Sequence, residues 1–319
     1  MRPLSAAAFA PAVISNFFAI HDEALRKKPP DYSRAGATGG GFTLSKGVYS
    51  RASAVRGSKS RLTIVVDGDP AYPADTTRRA VSLLLNTVHE PVAVELVQTV
   101  EVPIGAGFGT SSASALSAVM AIASALELGL DKERVASFAH QADIMQRTGL
   151  GTVSSTYDQS GAAIIVKPGG PGVARLRRVE VPAGHMVVTA SLERQDRGSI
   201  LSSARMRTKI NRLGEAALER ASDLRFESLL AAGSEFASGL GLMTPELRSL
   251  VDVALHNGAV GASQNMIGNA IHAVVPEGEC ASLSSALAAA SRKAEVEIFD
   301  IGGAKARVLA EDFPRFTHA

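Results

Sequence analysis

The most constraining feature of the sequence is a glycine-rich loop at residues 103–112, which reads PIGAGFGTSS. Alternating apolar residues at 92–102 predict a strand before the loop, and an Ala- and Ser-rich stretch at 113–128 predicts a helix after it. Glycines let a backbone approach a ligand closely and adopt positive φ, while unpaired amides at a helix N-terminus attract phosphate. A strand, a glycine loop and a helix in this order therefore predict a phosphate site in a fold of mixed helices and strands.

Two better-known phosphate loops do not fit this segment. A Walker A loop needs a Gly-Lys-Ser/Thr sequence, and this loop contains no lysine. A dinucleotide fingerprint has the pattern Gly-x-Gly-x-x-Gly, with an acid ending the second strand about 20 residues on. Here the third glycine comes one residue early, and Glu127, the acid nearest that distance, ends a predicted helix. The loop is therefore expected to hold phosphate with backbone amides, hydroxyl groups and a metal ion.

Composition narrows the class of protein. The chain has 319 residues, which favours two domains or one large α/β unit. Its net charge of +2 gives no reason to expect a nucleic-acid partner. No segment has the continuous apolar run of a membrane span, so no membrane partner is expected either. The single cysteine, Cys280, cannot form an internal disulfide, and a cytoplasmic location is expected.

Turn signals divide the chain. The run KPGGPG at 167–172 predicts a break, so we expect one domain at 1–170 and a second at 171–319. Three glycines at 39–41 predict a flexible turn. Strands are predicted at 1–20, 42–48, 61–66, 92–102, 162–166, 185–192, 269–275, 296–301 and 306–309. Helices are predicted at 74–89, 113–128, 131–147 and 282–293, with a helical block at 199–256 and a turn at 149–155. The final βαββ order predicts an α+β C-terminal domain.

The loop pattern Pro-x-Gly-x-Gly-x-Gly-Ser/Thr-Ser resembles the ATP loop of the GHMP kinases, the galactokinase, homoserine, mevalonate and phosphomevalonate kinase superfamily. The other resembling segments are PAVISNFF at 11–18, SRAGA at 33–37, AHQAD at 139–143, GLG at 149–151 and MIGN at 266–269. Within the superfamily, the likeness is to the archaeal pantoate kinases. The resemblance implies an α+β fold with an N-terminal ribosomal-protein-like β/α domain that binds ATP and a C-terminal ferredoxin-like α+β domain.

The resemblance also implies roles for individual residues. Ser111 falls at the position of a magnesium-binding hydroxyl and Asp143 at that of a magnesium-binding acid, so both are expected to be catalytic. The expected cofactors are ATP and Mg²⁺, a hard cation that prefers oxygen ligands. The expected ATP-binding residues are Pro103, Ile104, Gly105, Ala106, Gly107, Phe108, Gly109, Thr110, Ser111 and Ser112. The expected acceptor-binding residues are Ser15, Asn16, His21, Arg34, Gly151, Thr152 and Asn269.

The sequence departs from the superfamily pattern shortly after Asp143. The turn there usually ends in an aspartate that orients or deprotonates the acceptor hydroxyl, and this position holds Thr152. Threonine cannot act as a general base near neutral pH. Asp158, six residues on, is a candidate base if the local backbone differs, and the identity of the base is left open.

By resemblance, the expected reaction is the ATP-dependent phosphorylation of (R)-pantoate to 4-phosphopantoate in coenzyme A biosynthesis. Such an acidic acceptor needs a cation, and the resemblance favours Arg34. The alternative cations are Lys46, Arg51 and Arg197. The alternative functions are an archaeal shikimate, mevalonate or phosphomevalonate kinase, or a GHMP-fold protein that binds a metabolite without catalysis. The expected partner is a small molecule, and a homodimer is an open prediction.

Overall fold

The computed structural model describes residues 4–57, 59–193 and 203–310, which form two β-sheets with helices packed on them. The strands are β1 Leu4–His21, β2 Gly36–Arg56, β3 Arg61–Val66, β4 Val92–Val100, β5 Ala162–Lys167, β6 Arg175–Val179, β7 His185–Ser191, β8 Gly261–Gln264, β9 Ala270–Pro276, β10 Glu295–Asp300 and β11 Arg307–Leu309. The helices are α1 Asp75–Leu85, α2 Thr110–Ala125, α3 Lys132–Gln146, α4 Thr152–Thr156, α5 Ala204–Arg220, α6 Phe226–Leu240, α7 Pro245–His256 and α8 Cys280–Ala290.

The first sheet has the strand order β11-β1-β2-β4-β3, and β5 and β6 extend it beside β2. All of its pairs are antiparallel except β3 with β4. The second sheet has the order β10-β7-β9-β8 and is antiparallel throughout. Its strands follow one another as β, helices, β, β, helix, β, which is the ferredoxin-like arrangement. The expected α+β fold is therefore confirmed.

Helix α2 packs against β1 and β2, with α1 and α3 at its sides. Its buried positions are mostly alanine and serine, and such small side chains let the helix approach the sheet closely. The buried hydroxyl of Ser117 lies 2.7 Å from that of Ser50 in β2, and Gln98 in β4 also donates to Ser50 at 2.7 Å. Because buried polar groups are costly without partners, these bonds fix α2 over the sheet.

The prediction of a flexible turn at the three glycines 39–41 is wrong. They do not form a flexible turn but lie inside β2, between β1 and β5. A Cβ atom on Gly39 would lie 2.4 Å from the backbone oxygen of Phe17, and one on Gly41 would lie 2.3 Å from that of Ile14. Only glycine fits where β1 approaches this closely. The strand β2 also starts earlier and runs longer than the predicted strand at 42–48.

Most other predicted elements are confirmed within a few residues. The strand at 61–66 coincides with β3, while β6 and β8 were not predicted. The second half of the predicted turn at 149–155 instead belongs to the short helix α4, which ends at Thr156. Beyond the predicted break at 167–172, β6 still joins the first sheet, and β11 returns to it near the end of the chain. The division at residue 170 stays a prediction.

In residues 4–57, 59–193 and 203–310, no helix combines the length and the apolar character needed to cross a membrane.

Candidate active site

The glycine loop lies between β1, α2 and the turn that joins β8 to β9. Gly105, Gly107 and Gly109 have φ values of 81°, 89° and 63°, a region that side chains with a Cβ rarely adopt. A Cβ on Gly107 would lie 2.3 Å from the backbone oxygen of Asn265. One on Gly268 would lie 2.4 Å from the backbone oxygen of Ala106. The loop therefore needs glycine both for its own conformation and for its contact with the second sheet.

Phe108 anchors the loop in the core. Its side chain is fully buried and meets Phe299 of β10 edge-on, with the ring centroids 6.0 Å apart. Its carbonyl oxygen accepts a hydrogen bond from the Val13 amide of β1 at 3.0 Å. The loop is thus held from both sheets, which fixes the direction of its remaining amides.

The first turn of α2 is open toward a cavity. Gly109 is its N-cap residue, and no described side chain caps it. Ser111 is exposed, whereas Thr110 and Ser112 on either side are buried. Since the first amides of a helix have no partner within the helix, this end combines free donors with the positive end of the macrodipole. It suits the phosphates of a nucleotide.

The carboxylate of Asp143, in α3, lies beside the first turn of α2. Its Oδ1 accepts a hydrogen bond from Thr148 at 2.8 Å, and its Oδ2 accepts one from Ser112. Burial raises the pKa of Asp143 to about 6, although both hydroxyl groups act in the opposite direction. Thr148 is itself 3.0 Å from the hydroxyl of Thr76 in α1. Asp143 is therefore an ionisable group that is held in a defined orientation.

These oxygen donors suit a magnesium ion. A carboxylate has about four lone-pair positions, so two hydroxyl partners leave Asp143 capacity for a further ligand. A Cβ on Gly149 would lie 2.8 Å from Oδ2 of Asp143, so only a residue without a side chain fits beside this buried carboxylate. The assignment of Ser111 and Asp143 as metal ligands stays a prediction.

Two cavities lie on either side of Thr148. The larger, of about 510 Å³, lies between β1, β2 and the end of α3, and the smaller, of about 200 Å³, lies between α1 and the start of α2. Thr148 lines both of them, and Thr110 and Ser111 line the smaller one. A nucleotide in one cavity and an acceptor in the other would approach each other at Thr148.

Three of the expected acceptor-binding residues line the larger cavity: Ser15, Gly151 and Thr152. Thr152 also faces the glycine loop, since its Cγ2 would lie 3.1 Å from a Cβ on Gly109. His21 is adjacent, with its Nε2 3.0 Å from the hydroxyl of Thr38, which lines the cavity. Thr152, where the superfamily pattern has an aspartate, thus lies between the glycine loop and the larger cavity and offers a hydroxyl group instead of a carboxylate.

The other three expected acceptor-binding residues do not line the described cavities. Arg34 is exposed, and its Nε lies 3.6 Å from Asp31. Asn16 is buried beside His272, and Asn269 donates to the carbonyl oxygen of Glu193 at 2.8 Å. Of the alternative cations, Lys46 lies over the ring of Phe299, Arg51 is exposed in β2, and Arg197 is outside the described residues.

Asp158, the candidate base, does not line either cavity. Its carboxylate accepts a hydrogen bond from Lys132 at 2.9 Å, and both side chains are largely exposed. That bond holds the pKa of Asp158 below its usual value. This placement gives its predicted role as the base no geometric support.

We expect the substitution Asp158→Asn to leave turnover within about twofold of the wild-type rate. Exposed ion pairs contribute about 1 kcal/mol or less, so the loss of the pair with Lys132 has little effect on stability. Steady-state kinetics measure the effect, with Lys132→Gln as the matched control for the broken ion pair. A large drop in kcat for Asp158→Asn alone would restore it as the base.

The charged residues of the larger cavity were not predicted from the sequence. Asp22, Arg147 and Arg207 are the ionisable residues among its described lining, which gives it a net charge of +1. Arg207 Nη2 lies 2.6 Å from Asp22 Oδ2, whereas Arg147 makes no ion pair within the described part of the chain. The one signal in the sequence was that Arg147 immediately precedes the Thr-Gly-Leu-Gly turn.

Arg147 is the C-cap residue of α3 and has a positive φ of 58°. This left-handed conformation reverses the chain, so the following turn runs back along the cavity. The same turn brings Thr148 to Asp143 and Gly151 to the start of α4. This one reversal of the chain therefore positions the Arg147 cation, Thr148 as the partner of Asp143, and Thr152.

Known proteins resemble this chain in sequence. Residues 75–159, which include the glycine loop and Asp143, match the N-terminal domain of the GHMP kinases. Over 84% of its length the chain is 26% identical to a pantoate kinase of Methanospirillum hungatei, covering 86% of that protein. Over 85% of its length it is 28% identical to a pantoate kinase of Thermococcus kodakarensis, covering 88% of that protein. The chain is therefore similar to the GHMP kinases over the region of the glycine loop, and to the two pantoate kinases over most of its length.

Solved structures share the fold. A phosphotransferase related to the coenzyme A biosynthesis pathway superposes with a TM-score of 0.82 at 26% identity, over 96% of this chain and 98% of that one. A homoserine kinase from Cytophaga hutchinsonii superposes with a TM-score of 0.67 at 17% identity, over 96% and 98% of the two chains, which shows the shared fold. The family match and the two relatives support an ATP-dependent kinase.

Proposed function

We propose that the protein transfers the γ-phosphoryl group of ATP to the primary hydroxyl of (R)-pantoate, giving ADP and 4-phosphopantoate for coenzyme A biosynthesis. The observation that carries the proposal is the larger cavity, which lies beside the glycine loop and has a net charge of +1. Pantoate is a small hydroxy acid, so this cavity is large enough to hold it and carries the opposite charge. The pantoate kinases among the relatives support the choice of this acid.

The two cations of the cavity differ in availability. Arg207 is already paired with Asp22, so its charge is largely offset. Arg147 has no acidic partner among the described residues and stands at the exposed end of α3. Its planar fork of donors matches the two oxygens of a carboxylate. We therefore assign the acceptor carboxylate to Arg147 rather than to Arg34.

Phosphoryl transfer depends mainly on positioning and electrostatic stabilisation. The loop amides and the start of α2 would hold the phosphates of ATP, and Ser111 with Asp143 would hold Mg²⁺. A bound magnesium ion would offset the negative charge of the phosphoryl oxygens. Thr152 would orient the acceptor hydroxyl by hydrogen bonding, and the hydroxyl proton would pass to a phosphoryl oxygen or to solvent as the ester bond forms. A strong base is therefore not required at this position.

We expect Arg147→Ala to raise KM for pantoate about 10- to 100-fold, because a hydrogen bond to a charged group contributes about 1.5–3 kcal/mol. KM for ATP stays within about twofold, since the residue lines only the larger of the two described cavities. Arg34→Ala is the matched control, because it removes an exposed guanidinium outside both cavities. An effect of Arg34→Ala as large as that of Arg147→Ala contradicts this assignment.

An acceptor panel tests the proposal. ADP release is followed by a coupled assay with ATP, Mg²⁺ and one acceptor at a time: (R)-pantoate, mevalonate, phosphomevalonate, shikimate or homoserine. We expect turnover with pantoate and at least about 100-fold lower kcat/KM with each of the others, because they differ in charge, size or hydroxyl position. Turnover confined to another acceptor contradicts the choice of pantoate and retains the kinase.

Thr152 favours a second candidate function, a GHMP-fold protein that binds its ligands without catalysis. The position carries no carboxylate, and Asp158 does not reach the cavity. Tight binding of both ATP and pantoate with no ADP formation across the panel would support this alternative.

A further inference from the structure

A buried imidazole lies between the glycine loop and the wall of the larger cavity. His272, in the middle of β9, is 1% exposed. Its Nδ1 is 2.9 Å from Oδ1 of Asn265, and its Nε2 is 3.3 Å from Nδ2 of Asn16. The ring also meets Phe42, a residue of the cavity wall, edge-on at 5.6 Å.

The protonation of the ring follows from these partners. Burial lowers the pKa of His272 to about 3, so the ring is neutral near pH 7 and has one donor and one acceptor. With the proton on Nδ1, the ring donates to Oδ1 of Asn265 and accepts at Nε2 from the amide of Asn16. This assignment satisfies both nitrogens.

Asn265 extends the chain of hydrogen bonds to the glycine loop. Its Nδ2 donates to the carbonyl oxygen of Ala106 at 3.4 Å. Its own backbone oxygen packs against the α-carbon of Gly107, at the place where a Cβ would lie 2.3 Å away. The loop therefore rests on Asn265 through both its side chain and its backbone, and the ring of His272 determines the orientation of that side chain.

Asn16 extends the chain in the opposite direction, to the acceptor cavity. In the ladder between β1 and β2, Ser15 pairs with Gly41 and Phe17 with Gly40, so Asn16 is the extra residue of a β-bulge. Both of its neighbours line the larger cavity. Because a bulge re-aims a side chain, Asn16 points away from the cavity and toward the second sheet, where it meets His272.

We propose that Asn16, His272 and Asn265 form a relay that fixes the glycine loop relative to the acceptor cavity, with His272 as its positioning residue. The proposal rests on the proposed kinase function, since it concerns the alignment of the two substrates. A neutral ring with one donor and one acceptor fixes the orientation of both the Asn16 and the Asn265 side chains. An apolar side chain would fill the same space without orienting either amide. Small errors in substrate alignment cost about 100-fold in rate.

Kinetics of His272→Leu test the relay on folded protein, which circular dichroism verifies. We expect kcat to fall about 10- to 100-fold and KM for ATP to rise, because Asn265 loses its orientation. His272→Gln should recover part of the loss, since an amide also offers a donor and an acceptor. The control is Thr189→Val, a fully buried residue of β7 directly opposite His272 in the ladder. This control should keep both kcat and KM even if it unfolds at a lower temperature.

A double substitution separates a relay from independent contacts. If the residues act as one unit, Asn265→Ala combined with His272→Leu loses no more activity than the more damaging single substitution. Additive losses, or a His272→Leu enzyme that behaves like Thr189→Val, overturn the relay.

Binding of a non-hydrolysable ATP analogue tests the relay without an acceptor. We expect about tenfold weaker binding in His272→Leu and unchanged binding in Thr189→Val. If the wild-type protein does not phosphorylate pantoate, the proposed substrate fails, and these affinities still decide the relay: equal affinities in the two variants overturn it.

Discussion

The substitution Asp143→Asn lowers kcat about 100- to 1,000-fold, which is the typical effect of removing one preorganised electrostatic group from an active site. The side chain keeps its size and a hydrogen-bonding oxygen for Thr148 but loses the negative charge that is predicted to hold Mg²⁺. Steady-state kinetics at saturating ATP and pantoate measure the effect. Glu133→Gln, an exposed acid on the same helix, is the control and keeps full activity. Equal activity in the two variants would contradict the role of Asp143.

The same substitution should not destabilise the free protein. Burial raises the pKa of Asp143 from 3.8 to about 6, so the folded state binds its proton more tightly than the unfolded state does. The stability from this group is therefore complete below about pH 4 and is lost as pH rises through 6, a loss of about 3 kcal/mol.

Thermal unfolding without nucleotide, in the presence of a chelator, measures this change. We expect the wild-type protein to lose stability between about pH 4 and 7 relative to Asp143→Asn, which lacks the titrating carboxyl. At pH 8 the variant should be at least as stable as the wild-type protein. A variant that is both inactive and strongly unfolded at pH 8 would mean that Asp143 acts through the fold rather than through charge.

The substitution Gly107→Ala should lower kcat/KM for ATP about 100-fold or more. Its Cβ would lie 2.3 Å from the backbone oxygen of Asn265, which has no flexible end that could move aside. The loop must then shift, and a displacement of about 1 Å is enough for a loss of this size. Nucleotide titration and steady-state kinetics measure it.

Gly258→Ala is the matched control for this substitution. Gly258 has a φ of 86°, close to the 89° of Gly107, but no atom lies within 4 Å of its Cβ position. Both alanine variants carry the same backbone strain, of about 1–3 kcal/mol, and only Gly107→Ala carries the clash. Normal ATP kinetics in Gly107→Ala would show that the loop does not position the phosphates.

The local chemistry of the glycine loop was predictable from sequence because it depends on neighbouring residues. A strand, three glycines with positive φ and a helix N-terminus follow one another along the chain. The glycines at 39–41 were not predictable in this way. Their requirement comes from the close approach of β1, more than 20 residues away, which a local pattern does not contain.

The charged cavity depends even more on tertiary structure. Asp22 and Arg207 are 185 residues apart in sequence and meet only when α5 packs against β1. Arg34 lies in the segment at 33–37 that carries the family resemblance, yet its side chain is exposed beside Asp31. The strand β6 was missed because most of its side chains are exposed and polar, and β8 because it has only four residues.

Phosphorus NMR of the reaction products tests the central claim most directly. The protein is incubated with ATP, Mg²⁺ and (R)-pantoate, and the spectrum is followed without proton decoupling. We predict that the γ-phosphate signal of ATP decays while ADP and a phosphate monoester appear, with the monoester coupled to a methylene group, as the primary hydroxyl requires. A monoester coupled to a methine proton, or ATP that stays intact at high protein concentration, would contradict the proposed pantoate kinase activity.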